Sequence, residues 1–160
     1  LESCPFTVHV QEYEMKFKSI FIVIAFLCLS GPVLARDDIT QYSIESAMST
    51  SGAKEKLTRG YTFKFGDQSH AKIVENHGEV KSNKKTNALG NPNKEACEWA
   101  FLSAMISFQD RISTEGGNAV VNIRSFYKGN MVSSATEFEC GAGAIMAGVT
   151  FMGDVVTLEE

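Results

Sequence analysis

One helical segment sets the terms for the rest of this chain. Between Asn91 and Ile112, the residues Cys97, Phe101, Ala104, Met105, Phe108 and Ile112 recur at helical spacing and make a single apolar stripe. Asn91 is the expected N-cap, Pro92 the first helical residue, and Glu95 lies in the turn that the helix dipole favours for an anion. Gly116-Gly117 marks the stop. Trp99 falls off the stripe and either packs on another element or sits partly exposed. A helix with one apolar face must bury it, and the residues that follow supply a partner.

Asn118–Tyr127 (NAVVNIRSFY) reads as the strongest strand. Alternation puts Ala119, Val121 and Ile123 on one face and Val120, Asn122, Arg124 and Phe126 on the other. Lys128-Gly129-Asn130 is a turn, so the next strand, read from about Thr136 through Met152, is expected to return antiparallel. Phe138, Cys140, Ala142, Ala144 and Met146 share one of its faces. Upstream, Tyr61–Phe65 alternates aromatic and polar residues, a half-buried strand. Ala71–Glu75 reads as a further extended piece. Glu79–Asn87 reads as an exposed edge on which Lys81, Lys84 and Lys85 discourage foreign pairing. Asp38–Leu57 carries Ile44, Ala47, Met48 and Leu57 at loose helical spacing, one short helix or two half-helices. The expected fold class is α+β: an antiparallel sheet of about four strands covered by one long helix. An N-terminal helical segment at 36–58 leads into the α+β domain at 59–160.

The N-terminal residues have a different character. From Met15, Lys16 and Lys18 form a basic region and Ile20–Leu29 an apolar run of ten, then Gly31-Pro32 breaks the helix and Val33-Leu34-Ala35 offers a cleavage site. These are the three parts of a secretory signal peptide, and the run is half the roughly 20 residues a spanning helix needs. The expectation is a signal peptide at 15–35, an upstream extension at 1–14 outside the native product, and a mature chain starting at Arg36. Loss of Lys16, Lys18, Glu2, Glu12 and Glu14 moves the net charge from −4 to −3. That sign disfavours a nucleic-acid partner bound through phosphate neutralisation. The expected location is periplasmic or secreted, with no membrane span after cleavage.

Removing those residues also removes Cys4 and Cys28 and leaves Cys97 and Cys140, for which one intramolecular pairing exists. In an oxidising compartment a disulfide is the default state, and here it would join the helix stripe to the strand face. Neither cysteine has a CxxC partner or an activating histidine beside it, which favours a structural bridge over a redox one. Its two Cα atoms should lie within about 7 Å.

Chemistry is harder to find. The glycines at 116–117 and 141–143 lack the strand–glycine–helix order of a dinucleotide site, and neither GxxxxGK[ST] nor GxSxG occurs. His70 and His77, with Glu75 and Glu79, are the candidate metal ligands, although nothing in their spacing imposes convergence. No cofactor is implied.

The order of helix, Gly117-Asn118-Ala119-Val120-Val121, strand and Cys140-Gly141-Ala142-Gly143-Ala144 resembles the YbjQ-like fold over residues 59–152. That group includes the outer-membrane stress-sensor lipoprotein of the Rcs phosphorelay, and some of its members carry a heavy-metal-binding label. This chain has no lipid-attachment box, proline-rich linker or second cysteine pair of the sensor's kind. Residues 36–158, with NKKTNA, EACEWAFLSA, GGNAVVNI and TEFECGAGAIMAG, also look like small exported bacterial proteins often labelled excinuclease ATPase subunit. That label implies nucleotide motifs and zinc-binding CxxC pairs, and the sequence contains neither. The expected function is a non-catalytic exported envelope protein that binds or senses another envelope protein. The alternative is a metal or small-ligand binder built on His70 and His77.

Overall fold

A computed structural model describes residues 38–159. The expected extension at 1–14, signal peptide at 15–35 and start at Arg36 lie outside the described residues. Six strands and three α-helices follow in the order β1 (Asp38–Ser43), α1 (Ile44–Ser49), α2 (Ser51–Lys56), β2 (Thr62–Phe65), β3 (Ile73–Asn87), α3 (Asn93–Glu115), β4 (Ala119–Ser125), β5 (Glu137–Ala142) and β6 (Met146–Leu158). The class is α+β, with six strands in place of about four, and the long helix α3 is joined by two short helices in the N-terminal segment.

Helix α3 begins one residue later than its sequence suggests. Pro92 is the N-cap, with φ −58° and ψ 138°, and no side chain caps the first turn. Proline has no N–H to orphan, so the cap costs little there. Every stripe residue from Cys97 to Ile112 is fully buried. Gly116 adopts φ 85°, a left-handed conformation that glycine takes without a Cβ penalty, and its N–H donates to the Ile112 carbonyl at 3.0 Å.

The segment before α1 departs from expectation. Asp38–Ser43 is a strand, pairing antiparallel with β5 from Asp38↔Ala142 to Ser43↔Glu137, so 36–58 is not a purely helical segment. The second half follows the two-helix alternative. Ser43 caps α1 by accepting from the Ser46 N–H, and Thr50 caps α2 by accepting from the Ala53 N–H.

Strand β6 is the hub. β3 covers one whole edge of it, from Ile73↔Leu158 to Asn87↔Met146. Its other edge takes β4 along residues 151–156 and β5 at Ala147 and Gly148. The extended pieces at 71–75 and 79–87 are thus one strand, bulged twice near its start, and β3 is an edge strand as its lysines suggest. The sheet is mixed rather than antiparallel throughout, because β2 pairs parallel to β4. The intervening β3 and α3 supply the crossover that a parallel pair requires.

Two further differences have local causes. The single strand read over 136–152 is a hairpin, β5 and β6, in which the Gly143 N–H donates to the Met146 carbonyl at 2.8 Å. In β4 the register shifts between Val121 and Arg124, where Asn122 takes a φ of 52°. That bulge resets the alternation. Val120 and Ile123 therefore face the helix-side core together, while Ala119 and Val121 join Val156 and Leu158 in a smaller cluster.

Four rings from four elements fill the main core: Phe65 of β2, Phe101 of α3, Phe138 of β5 and Phe151 of β6. Phe101 lies 5.8, 4.7 and 5.7 Å from the other three centroids in that order. Beside them, Cys97 and Cys140 form the expected disulfide, with Cα atoms 5.9 Å apart.

On the sheet's other face, Ile39, Gly141, Gly148 and Lys85 stand in register across four strands. The Tyr127 ring lies where a Cβ on Gly141 would project. A Gly141→Ala substitution should therefore displace Tyr127 and cost about 1–3 kcal/mol by overpacking. Urea unfolding checks this, and adding Tyr127→Ala should return part of the loss. An unchanged midpoint in Gly141→Ala would remove the overlap as a constraint.

Candidate functional site

The four ligand candidates named from sequence do not assemble. His70 sits between β2 and β3 with Nδ1 2.7 Å from the Ala71 carbonyl oxygen, an arrangement in which Nδ1–H donates. His77 lies on β3, its Nε2 2.9 Å from Thr157 Oγ1 on β6. Glu79 forms an ion pair with Arg124 at 2.6 Å, and Glu75 is exposed between the two bulges of β3. Among the described residues no three His, Cys, Asp or Glu side chains converge as a metal would require. The bulge between Asn76 and Gly78 contributes to this, since it breaks the alternation that would hold Glu75, His77 and Glu79 on one face.

Cys97 and Cys140 are fully buried, which closes the disulfide to an attacking thiolate in the folded state. Its role there is to fasten α3 to β5.

Among the described residues, two concavities stand out. An open cleft of about 490 Å³ is lined by Thr62, Lys64 and His70 with Asn118, Leu158 and Glu159. It mixes one lysine, one histidine and one carboxylate with no common focus. The second is smaller, about 180 Å³, and more consistent in chemistry. Thr50, Ser51 and Gly52, at the junction of α1 and α2, form one wall, and Glu95, Glu98, Trp99 and Leu102 of α3 form the other. Those four α3 residues fall at i, i+3, i+4 and i+7, so the helix presents them on a single face. Glu98 is held in place, its Oε1 accepting from Ser46 Oγ at 3.0 Å and lying 3.6 Å from Lys94 Nζ. Trp99 is 48% exposed. Sequence reading noted Trp99 as off the core stripe but missed its partners. The signal was present as two carboxylates and an indole on the face next to that stripe.

A third feature is an exposed apolar group. Leu89 and Ile145 are 65% and 62% exposed, and Met146 is 46% exposed. The Ala88 N–H donates to the Ile145 carbonyl at 2.7 Å, and Met146 pairs with Asn87, so the three belong to one tip of the sheet. Among the described residues no helix is long and apolar enough to cross a membrane. Compared with known proteins, the chain matches no protein-family model, no curated protein and no solved structure.

Proposed function

We propose that this protein is a non-catalytic interaction module of the bacterial envelope, periplasmic or secreted, which engages another envelope protein through the tip formed by Leu89, Ile145 and Met146. The exposure of these three large apolar side chains on one tip carries the reading. Grouped exposed apolar residues of this kind characterise contact surfaces, whereas scattered ones are ordinary. A buried disulfide supports an oxidising compartment, since cytosolic proteins keep thiols reduced. The order of helix, GNAVV at 117–121, strand and CGAGA at 140–144 supports a YbjQ-like fold.

A photo-crosslinking residue at position 145 of the full chain, expressed in intact cells, tests the contact. One discrete adduct is expected from 145 and none from the exposed position 114 on α3. Leu89→Ser with Met146→Ser should abolish it. Equal adducts from both positions, or none from 145, would overturn the reading. Export has its own check. Intact mass of the recovered protein should correspond to a chain beginning at Arg36, and a product retaining residues 15–35 would remove the envelope assignment.

A further inference from the structure

We infer that the pocket between α3 and the α1–α2 junction binds an organic cation, an alkylammonium or guanidinium group, between the Trp99 indole and the Glu95 and Glu98 carboxylates. This site is separate from the apolar tip and uses none of its residues.

The inference rests on what each wall offers. The Glu98 side chain is 17% exposed, and both of its described partners, Ser46 Oγ and Lys94 Nζ, meet Oε1. No described hydrogen bond or ion pair meets Oε2. Glu98 also lines the pocket. A carboxylate fixed by one oxygen and open at the other is preorganised to accept a further donor. Glu95 adds a second negative charge one turn earlier on the same face and has no ion-pair partner among the described residues. The indole attracts cations through its quadrupole, and tryptophan does so best among the aromatic side chains. Leu102 and Gly52 supply apolar surface for the carbon atoms beside the charge. An ideal Cβ on Gly52 would fall 3.1 Å from Leu102 and 3.6 Å from the edge of the Trp99 ring, so a bare glycine backbone keeps this wall low.

Other ligand classes fit poorly. An anion would meet two carboxylates. A divalent metal would find two, and no third His, Cys, Asp or Glu joins them among the described residues. The pocket volume of about 180 Å³ suits a cationic headgroup or the end of a side chain rather than a nucleotide or sugar. Lys94 is the competing cation. It reaches Glu98 from an exposed position at 3.6 Å, so its removal should free the site rather than damage it.

Trp99 is the chain's single tryptophan, so its fluorescence reports directly on the pocket. The full disulfide-bonded chain is titrated with n-butylammonium and with tetramethylammonium, and n-pentanol serves as the neutral counterpart. Saturable changes are expected with both cations and not with the alcohol. Affinity should fall about fivefold or more in Glu98→Gln, which keeps an oxygen for Ser46 to donate to. It should rise in Lys94→Ala. A tripeptide with a central lysine, compared with its acetylated form, separates two sources of the same chemistry. Binding of the unmodified peptide at least as tight as butylammonium assigns the site to a partner's side chain, and binding of the free amine alone assigns it to a small cation. Equal responses to pentanol and butylammonium, or an unchanged affinity in Glu98→Gln with its fold intact by circular dichroism, would overturn the proposal. Failure of the tip crosslink leaves these readings unaffected.

Discussion

Replacing both Cys97 and Cys140 by alanine should lower the unfolding free energy by roughly 2–5 kcal/mol. The two positions are 43 residues apart in sequence, and closing a loop of that size removes about 4 kcal/mol of denatured-state entropy in the chain-entropy treatment. Two alanines isolate the cross-link better than Cys140→Ser, which would place a hydroxyl in a fully buried apolar site and add its own desolvation cost. Urea unfolding of the oxidised protein and the double variant measures the difference. The variant's denatured state is less constrained, so its urea dependence should also steepen. Thiol titration of oxidised protein under denaturing, non-reducing conditions should find neither Cys97 nor Cys140 reactive. Titratable thiols at both positions would refute the bridge, and with it the fastening of α3 to β5.

Phe101→Ala should cost about 3–5 kcal/mol, at the upper end for a single core truncation. Phe101 is fully buried, and its ring stands within 6 Å of Phe65, Phe138 and Phe151, so one deletion removes contacts to three strands at once. Those three rings sit on separate strands and cannot easily collapse into the vacated volume. Phe101 also lies one turn beyond Cys97 on the same stripe, so its cost and that of the lost disulfide should not add. A double-mutant cycle over the two changes should give a coupling of about 0.5–3 kcal/mol. Additivity within error would show that the ring cluster and the bridge act independently.

Legibility of the fold followed the strength of local signals. The α3 stripe was readable to the residue, because each of its members is apolar, correctly spaced and buried. The β5 face was readable too, since Phe138, Cys140 and Ala142 alternate with no interruption. β1 was not. Its sequence, DITQYS, is largely exposed, and its strand character comes from pairing with β5 rather than from its own pattern. The hairpin between β5 and β6 hid inside one run of small and apolar residues without an Asn-Gly or Asp-Gly signal. Parallel pairing of β2 with β4 depends on how α3 docks, which no local pattern encodes. The Asn122 bulge reversed the expected partner of Ile123 for the same reason, as a tertiary choice made at one residue.

The candidate site divides in a similar way. Residue types that suggest chemistry in isolation, His70, His77, Glu75 and Glu79, turned out to be occupied locally or exposed apart. The pocket instead draws on residues at 50–52, brought against α3 by the turn between two six-residue helices. The helical face bearing Glu95, Glu98 and Trp99 was visible as a pattern. Its opposing wall was not, because only the packed structure brings it there.

The position of β6 at the sheet's centre has a consequence for the order of events during folding. It is the last of the described strands along the chain, yet it joins β3, β4 and β5. The β1–β5 and β2–β4 pairs have a partner in each other before it arrives, while β3 has none, and nothing yet connects the two pairs. Contacts such as Ile73 with Leu158 close very large loops, and a topology dominated by such contacts folds slowly for its size. A nascent chain stalled before Met146 would hold a helix with its apolar face partly bare, in a state open to holdase chaperones. Completion of the thirteen-residue β6 would then act as the commitment step, converting loosely joined ribbons into one cooperative unit.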